Sequence, residues 1–246
     1  MHNIFKKFAT ITLLAFLLSA CSTVNKVKVI LPVSWLDMEK VDENVYVDTD
    51  MPESQRQDLL TKISLAKNNV QAIWGEVLST PVIFACSSKT CFENLGGGAR
   101  AHQVSNYIVL SPRALNAELI SHEWSHTEML KRLDSVFGDS DVPSWFNEGV
   151  AVVVSNEPRH NEQAWNKVVE RNLPFPQTKE LETLGDWNAS VGKYQKNIDP
   201  NEVVVVYATA GHIVNNWYKK HGSQGLTALI NGVKEGRSFM ILYNDL

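Results

Sequence analysis

The segment His122-Glu123-Trp124-Ser125-His126 constrains the fold more than any other part of the chain. Histidines four positions apart project from one face of a helix, one turn apart, so the pattern calls for helix here. Leu115, Leu119, Leu130 and Leu133 continue it at near-helical spacing, which puts both imidazoles on the buried stripe. Two neutral imidazoles so placed can share one Zn²⁺ at about 2.0–2.1 Å each. Glu123 then lies beside the metal without being an obvious ligand. It is the candidate general base, taking a proton from an attacking water that the cation makes more acidic. The alternative is a pair of histidines packed on an apolar face with satisfied hydrogen bonds, and the motif alone does not exclude it.

A third ligand is offered downstream. Pro143 opens a second helix over about residues 144–154, carrying Trp145-Phe146-Asn147-Glu148-Gly149. Glu148 lies 22 residues after His126, which leaves room for a helix end, a turn and a returning helix. Its carboxylate completes a His₂Glu set with a fourth position open to water or substrate. Asp134 and Glu157 compete for this role, but Asp134 falls at the end of the first helix and Glu157 beyond the second.

At the N-terminus, Lys6 and Lys7 precede a short apolar core from Phe8 to Leu18, the layout of a targeting segment. The core is shorter than the roughly 20 apolar residues that span a bilayer. It runs into Leu18-Ser19-Ala20-Cys21, which resembles the bacterial lipoprotein signal. That resemblance implies cleavage after residue 20, a lipidated Cys21, and, with Ser22 next, the periplasmic face of the outer membrane. An ordinary secretory signal is the alternative. The expected organisation is residues 1–20 as signal, 21–43 as tether and 44–246 as one domain, large enough for a substantial core.

The 23 basic and 27 acidic residues give a net charge of −4, and loss of a leader with two lysines and no acid takes this to −6. An acidic surface argues against nucleic acid or anionic lipid as the principal partner. Cys86 and Cys91 remain, in an exported chain where disulfides persist, and are expected to pair. A metal site there would need further ligands, and His102 alone is a poor case.

Between these landmarks, Asn44–Val47, Pro81–Ala85 and Tyr107–Leu110 read as strands. Leu59, Ile63, Ala66, Val70 and Ile73 mark a helix opened by Pro52. Gly96-Gly97-Gly98 lacks the Gly-Lys-Ser/Thr of a phosphate loop and reads as a turn. Ser111-Pro112 reads as a helix start. Further helices are expected over residues 161–170, 203–220 and 226–233, although the run Val203–Val206 also permits a strand.

The two motifs together, His122-Glu123-Trp124-Ser125-His126 and Pro143-Ser144-Trp145-Phe146-Asn147-Glu148-Gly149-Val150-Ala151, resemble the gluzincin metallopeptidases of the peptidase MA-like group. The resemblance covers residues 107–154 well, and 207–218 and 222–236 more loosely. It implies an α+β fold with a thermolysin-like zincin core: a small mixed sheet, two metal-binding helices and a mostly helical C-terminal part. It implies zinc as cofactor and a peptide or protein as substrate, aligned on an edge strand expected at Val104–Leu110. It also implies a tyrosine on a later helix that donates to the developing oxyanion. Tyr207 matches that position best, with His212 as second candidate and a half-buried core tyrosine as the alternative. Many gluzincins carry an acid four residues after the ligand glutamate, where it orients a zinc histidine; here that position is Val152. Three functions follow as expectations: a lipid-anchored cell-envelope zinc metallopeptidase, a weakly active or inactive envelope binding or assembly lipoprotein of the same fold, and, last, a hydrolase acting on a wall component.

Overall fold

Alternating side chains along short strands build one five-stranded sheet. The computed structural model describes residues 35–98, 100–135 and 141–245; the leader, Cys21 and most of the expected tether lie outside the described residues. Strands β1 (Met38–Asp42), β2 (Val45–Asp48), β3 (Val82–Ala85), β4 (Ala101–Val104) and β5 (Tyr107–Leu110) form one mixed sheet in the order β1-β2-β3-β5-β4. The β2/β3 and β3/β5 pairs are parallel, while the two outer pairs are antiparallel. Ile83 and Ala85 on β3, and Ile108 and Leu110 on β5, face the main core. Phe84 and Val109 point to the opposite face, into a second cluster with Phe92 and Leu95. This is the period of two that a sheet covered on both sides requires. Cys86 and Cys91, with Cα atoms 5.6 Å apart, lie at disulfide distance and close the loop beside that second cluster.

Helices supply the rest of the chain. They are α1 (Glu53–Trp74), α2 (Lys89–Asn94), α3 (Ala117–Leu133), α4 (Ser144–Ser155), α5 (Glu162–Glu170), α6 (Leu184–Tyr194), α7 (Val205–Lys234) and α8 (Phe239–Asp245). The protein is therefore α+β, with a small mixed sheet and mostly helical content. None of the described helices is long and apolar enough to cross a membrane.

Four local expectations are corrected. Residues 38–42, assigned to the tether, form β1 and pair with β2. Val104–Leu110 is not one edge strand: Ser105 adopts φ 54° and turns the chain, so β4 is the edge and β5 is paired on both sides. Ser111-Pro112 opens only a 3₁₀ turn, Pro112–Ala114, and the α-helix begins after Asn116, whose side chain accepts from Leu119 N–H at 2.9 Å. The two C-terminal helices expected at residues 203–220 and 226–233 are halves of α7, joined across Gly222 at φ 61°.

Two buried devices orient α3. Glu128 is fully buried and accepts from Ser79 N–H (2.8 Å), Ser79 Oγ–H (2.6 Å), Leu78 N–H (3.0 Å) and Arg132 Nε–H (2.9 Å). Trp124, inside the histidine motif, donates Nε1–H to Ser79 Oγ at 3.0 Å. These bonds pin the side of α3 opposite its histidines to the chain entering β3. A buried carboxylate fully supplied with donors holds geometry because any shift strands a charge in low dielectric.

Candidate metal centre

α3 presents His122, Glu123 and His126, and α4 brings Glu148 against them. Glu148 Oε2 lies 3.3 Å from His122 Nε2 and 3.6 Å from His126 Nε2. A tetrahedral ion with bonds of about 2.05 Å sets its ligand atoms roughly 3.3 Å apart, so these separations are those of a metal's coordination shell. One donor atom from each residue falls within 4.8 Å of the others. Glu148 Oε2 is also buried without a well-aligned hydrogen bond among the described residues. A buried carboxylate oxygen facing two imidazole nitrogens with no donor of its own suits a cation.

The electrostatics describe the same charge deficit. Burial works against a charged Glu148, but His126 and His122 outweigh it and hold the carboxyl far below its ordinary range. Burial would depress His126, yet the Glu148 carboxylate pushes it up to about 9. The trio thus retains a positive charge beside its carboxylate, where a metal would put a larger one. His122 moves the other way, because burial dominates and lowers it. Glu123 is raised to about 7 by burial, with His126 opposing and Glu148 adding to the rise.

The histidines differ in how they are held. His126 Nδ1 lies 3.1 Å from Asn147 Oδ1, an acceptor that favours a proton on Nδ1, so that the neutral ring would offer Nε2 to a metal. His122 Nδ1 is buried with no hydrogen-bond partner among the described residues. Val152, where the resemblance implies an orienting acid, is apolar, buried and packed against Gly211.

Beside the trio, reached through His122, opens a cleft of about 290 Å³, bordered by His122, Glu123, His160 and Tyr207 among others. Tyr207 on α7 has its ring 5.9 Å from that of His122, stacks on His160 at 4.5 Å and meets Trp187 edge-on at 4.9 Å. Burial, then Glu148 and Glu123, raise the Tyr207 hydroxyl well above its ordinary pKa, so it remains a donor at neutral pH. Among described residues, then, the structure brings His122, Glu123, His126, Glu148 and Tyr207 together.

No protein-family model matches the chain, and no curated protein is detectably similar to it.

The other candidates fall elsewhere. Asp134 caps the end of α3 in a left-handed conformation and pairs with Lys234 at 2.5 Å. Glu157 pairs with Arg159, at 2.5 Å and 3.0 Å, and lies 2.8 Å from His160 Nδ1. His212 faces Glu162 at 3.1 Å and stacks on Trp165. His102 packs near Phe92, with ring centroids 5.8 Å apart. Asp48 approaches Cys86 and Cys91, but paired sulfurs offer no thiolate, and Asp48 Oδ2 accepts from Ser87 Oγ–H.

His160 and Asn147 escaped the sequence reading. Asn147 was legible only as part of the second motif. His160 follows Glu157-Pro158-Arg159 with no periodic or spacing signal, and only the fold sets it on Tyr207.

Proposed function

We propose that this protein is a zinc-dependent hydrolase of the gluzincin type, cleaving peptide bonds. The observation that carries the proposal is the His122–His126–Glu148 trio, with donor atoms at coordination-shell separations and Glu123 beside it. Zinc bound by these three side chains would supply Lewis acidity to the substrate carbonyl and lower the pKa of the attacking water. Glu123 takes the water's proton and can return it to the leaving amine. Tyr207, kept protonated, donates its hydroxyl proton as a hydrogen bond to the oxyanion that develops on the carbonyl. The edge of β4, unpaired among the described residues and with Ala101 bordering the cleft, offers backbone groups to an extended peptide.

Metal analysis and turnover together test this reading. The domain lacking residues 1–21 should hold about one zinc per chain, sharply less after Glu148→Ala. Glu123→Gln should keep the zinc and lose hydrolysis. Tyr207→Phe should keep it and lose about 10²–10³-fold in kcat. Absence of zinc after reconstitution, or full activity in Glu123→Gln, would remove the mechanism.

A second reading has its own observation. With His122 Nδ1 unsupported and Val152 apolar, the centre can bind metal yet turn over slowly, as a binding or assembly factor would. Bound zinc with no cleavage across a broad peptide library would favour it. Under either reading the leader implies attachment to the bacterial envelope through Cys21, which mass spectrometry of the mature N-terminus tests.

A further inference from the structure

The lining of the cleft that Glu123 enters carries more positive charge than an acidic chain leads one to expect. Arg100, at the approach to β4, Arg113, in the 3₁₀ turn before α3, and Arg159, after α4, all border it. Their chain positions are far apart, so only the fold gathers them. We infer that they form a carboxylate-binding subsite beside the metal centre, selecting peptides with a carboxylate next to the scissile bond. The inference rests on the metallopeptidase reading and extends it to substrate class.

The three guanidinium groups have different work. Arg159 is committed to structure: it holds Glu157 with two nitrogens and donates Nη1–H to Pro200 O at 3.1 Å. Arg100 reaches the same turn through Asn201 Oδ1 at 3.2 Å, a neutral partner that leaves its charge unbalanced. Arg113 is exposed, and its guanidinium makes no hydrogen bond or ion pair among the described residues. Glu157 contributes one negative charge, already shared with Arg159 and His160. Arg100 and Arg113 are therefore in excess.

The guanidinium groups act on one another. Partial desolvation, then Arg159 and Arg113, lower the Arg100 pKa, while Glu157 only partly offsets them. A dication at the trio would be balanced by Glu123 and Glu148, so the excess would survive metal loading. An anion entering the cleft relieves it, and a carboxylate matches the guanidinium fork with paired hydrogen bonds. In a peptide this group is either an acidic side chain or the free C-terminus.

Calorimetric titration of zinc-loaded and metal-free Glu123→Gln protein with three pentapeptides tests the subsite. They are a blocked neutral alanine peptide, the same peptide with an internal glutamate, and the neutral peptide with a free C-terminal carboxylate. The expected result is that one acidic peptide binds roughly tenfold or more tightly than the neutral one, as a charge-assisted contact allows. Arg113→Ala and Arg100→Ala should each erode that preference, and added salt should weaken it. Preference for the internal glutamate identifies a side-chain subsite; preference for the free terminus identifies a C-terminal one. Equal affinity for all three, or an undiminished preference in both arginine variants, would overturn the inference. If the protein takes up no zinc on reconstitution yet keeps the preference, the subsite stands and the metallopeptidase reading falls instead.

Discussion

At the scale of single residues, the two histidines of the centre are supported unequally. His126 has Asn147 to hold its ring and tautomer, while His122 Nδ1 has no such partner among the described residues. Supporting bonds of this kind are commonly worth 10–100-fold in metal affinity. Asn147→Leu should therefore weaken zinc binding by about that factor, read by competition with a chelator, and leave unfolding little changed. Asn147→Asp keeps an acceptor at the same place and should retain tight binding. If the leucine variant bound zinc as tightly as the native protein, Asn147 would have no orienting role.

At the scale of elements, the centre depends on how closely α4 approaches α7. A Cβ on Gly149 would come within 2.7 Å of Ala210 O and collide with the Val214 side chain. One on Gly211 would collide with Val152 and lie 3.2 Å from His160 O. Each helix thus presents a glycine where the other presses in, and the first of these glycines directly follows the candidate ligand Glu148. Alanine at 149 would gain helix propensity, about 1 kcal/mol at most. Overpacking costs roughly 1–3 kcal/mol and displaces the helix. Gly149→Ala should lower stability by about 1–2 kcal/mol in denaturant titration, and it should reduce zinc affinity by moving Glu148. Unchanged zinc affinity would mean that the helix spacing does not set the centre.

At the scale of the whole molecule, residues 157–160 join parts distant in sequence. Arg159 O accepts from Val204 N–H at 3.0 Å, Arg159 Nη1–H reaches Pro200, and His160 stacks under Tyr207. Burial would raise the Glu157 carboxyl, but His160 and Arg159 win and hold it at about 2; Arg100 also faces it. A carboxyl depressed on folding stabilises the protein above its unfolded pKa of about 4.5 and loses that contribution as pH falls toward 2. The native protein should accordingly be more stable than Glu157→Gln at neutral pH, with the gap narrowing below about pH 5. A gap independent of pH would show that the carboxylate charge contributes nothing.

The sequence by itself determined the parts whose signals are local. Histidines at i and i+4 on an apolar stripe need only helix to meet, so His122 and His126 were legible, as was Glu123 between them. Pro143 announced the helix that carries Glu148, and branched runs marked β3 and β5. Boundaries that depend on competition were misread: Ser111-Pro112 has cap chemistry, yet Asn116 caps the helix, because the 3₁₀ turn must first bring the chain off the sheet. Tertiary structure alone decided what meets across long separations. The stacking of His160 on Tyr207, the Asn147 bond to His126 and the gathering of three arginines around one cleft join residues from different elements. No periodicity records such contacts, because the packing of α3, α4 and α7 on the sheet creates them.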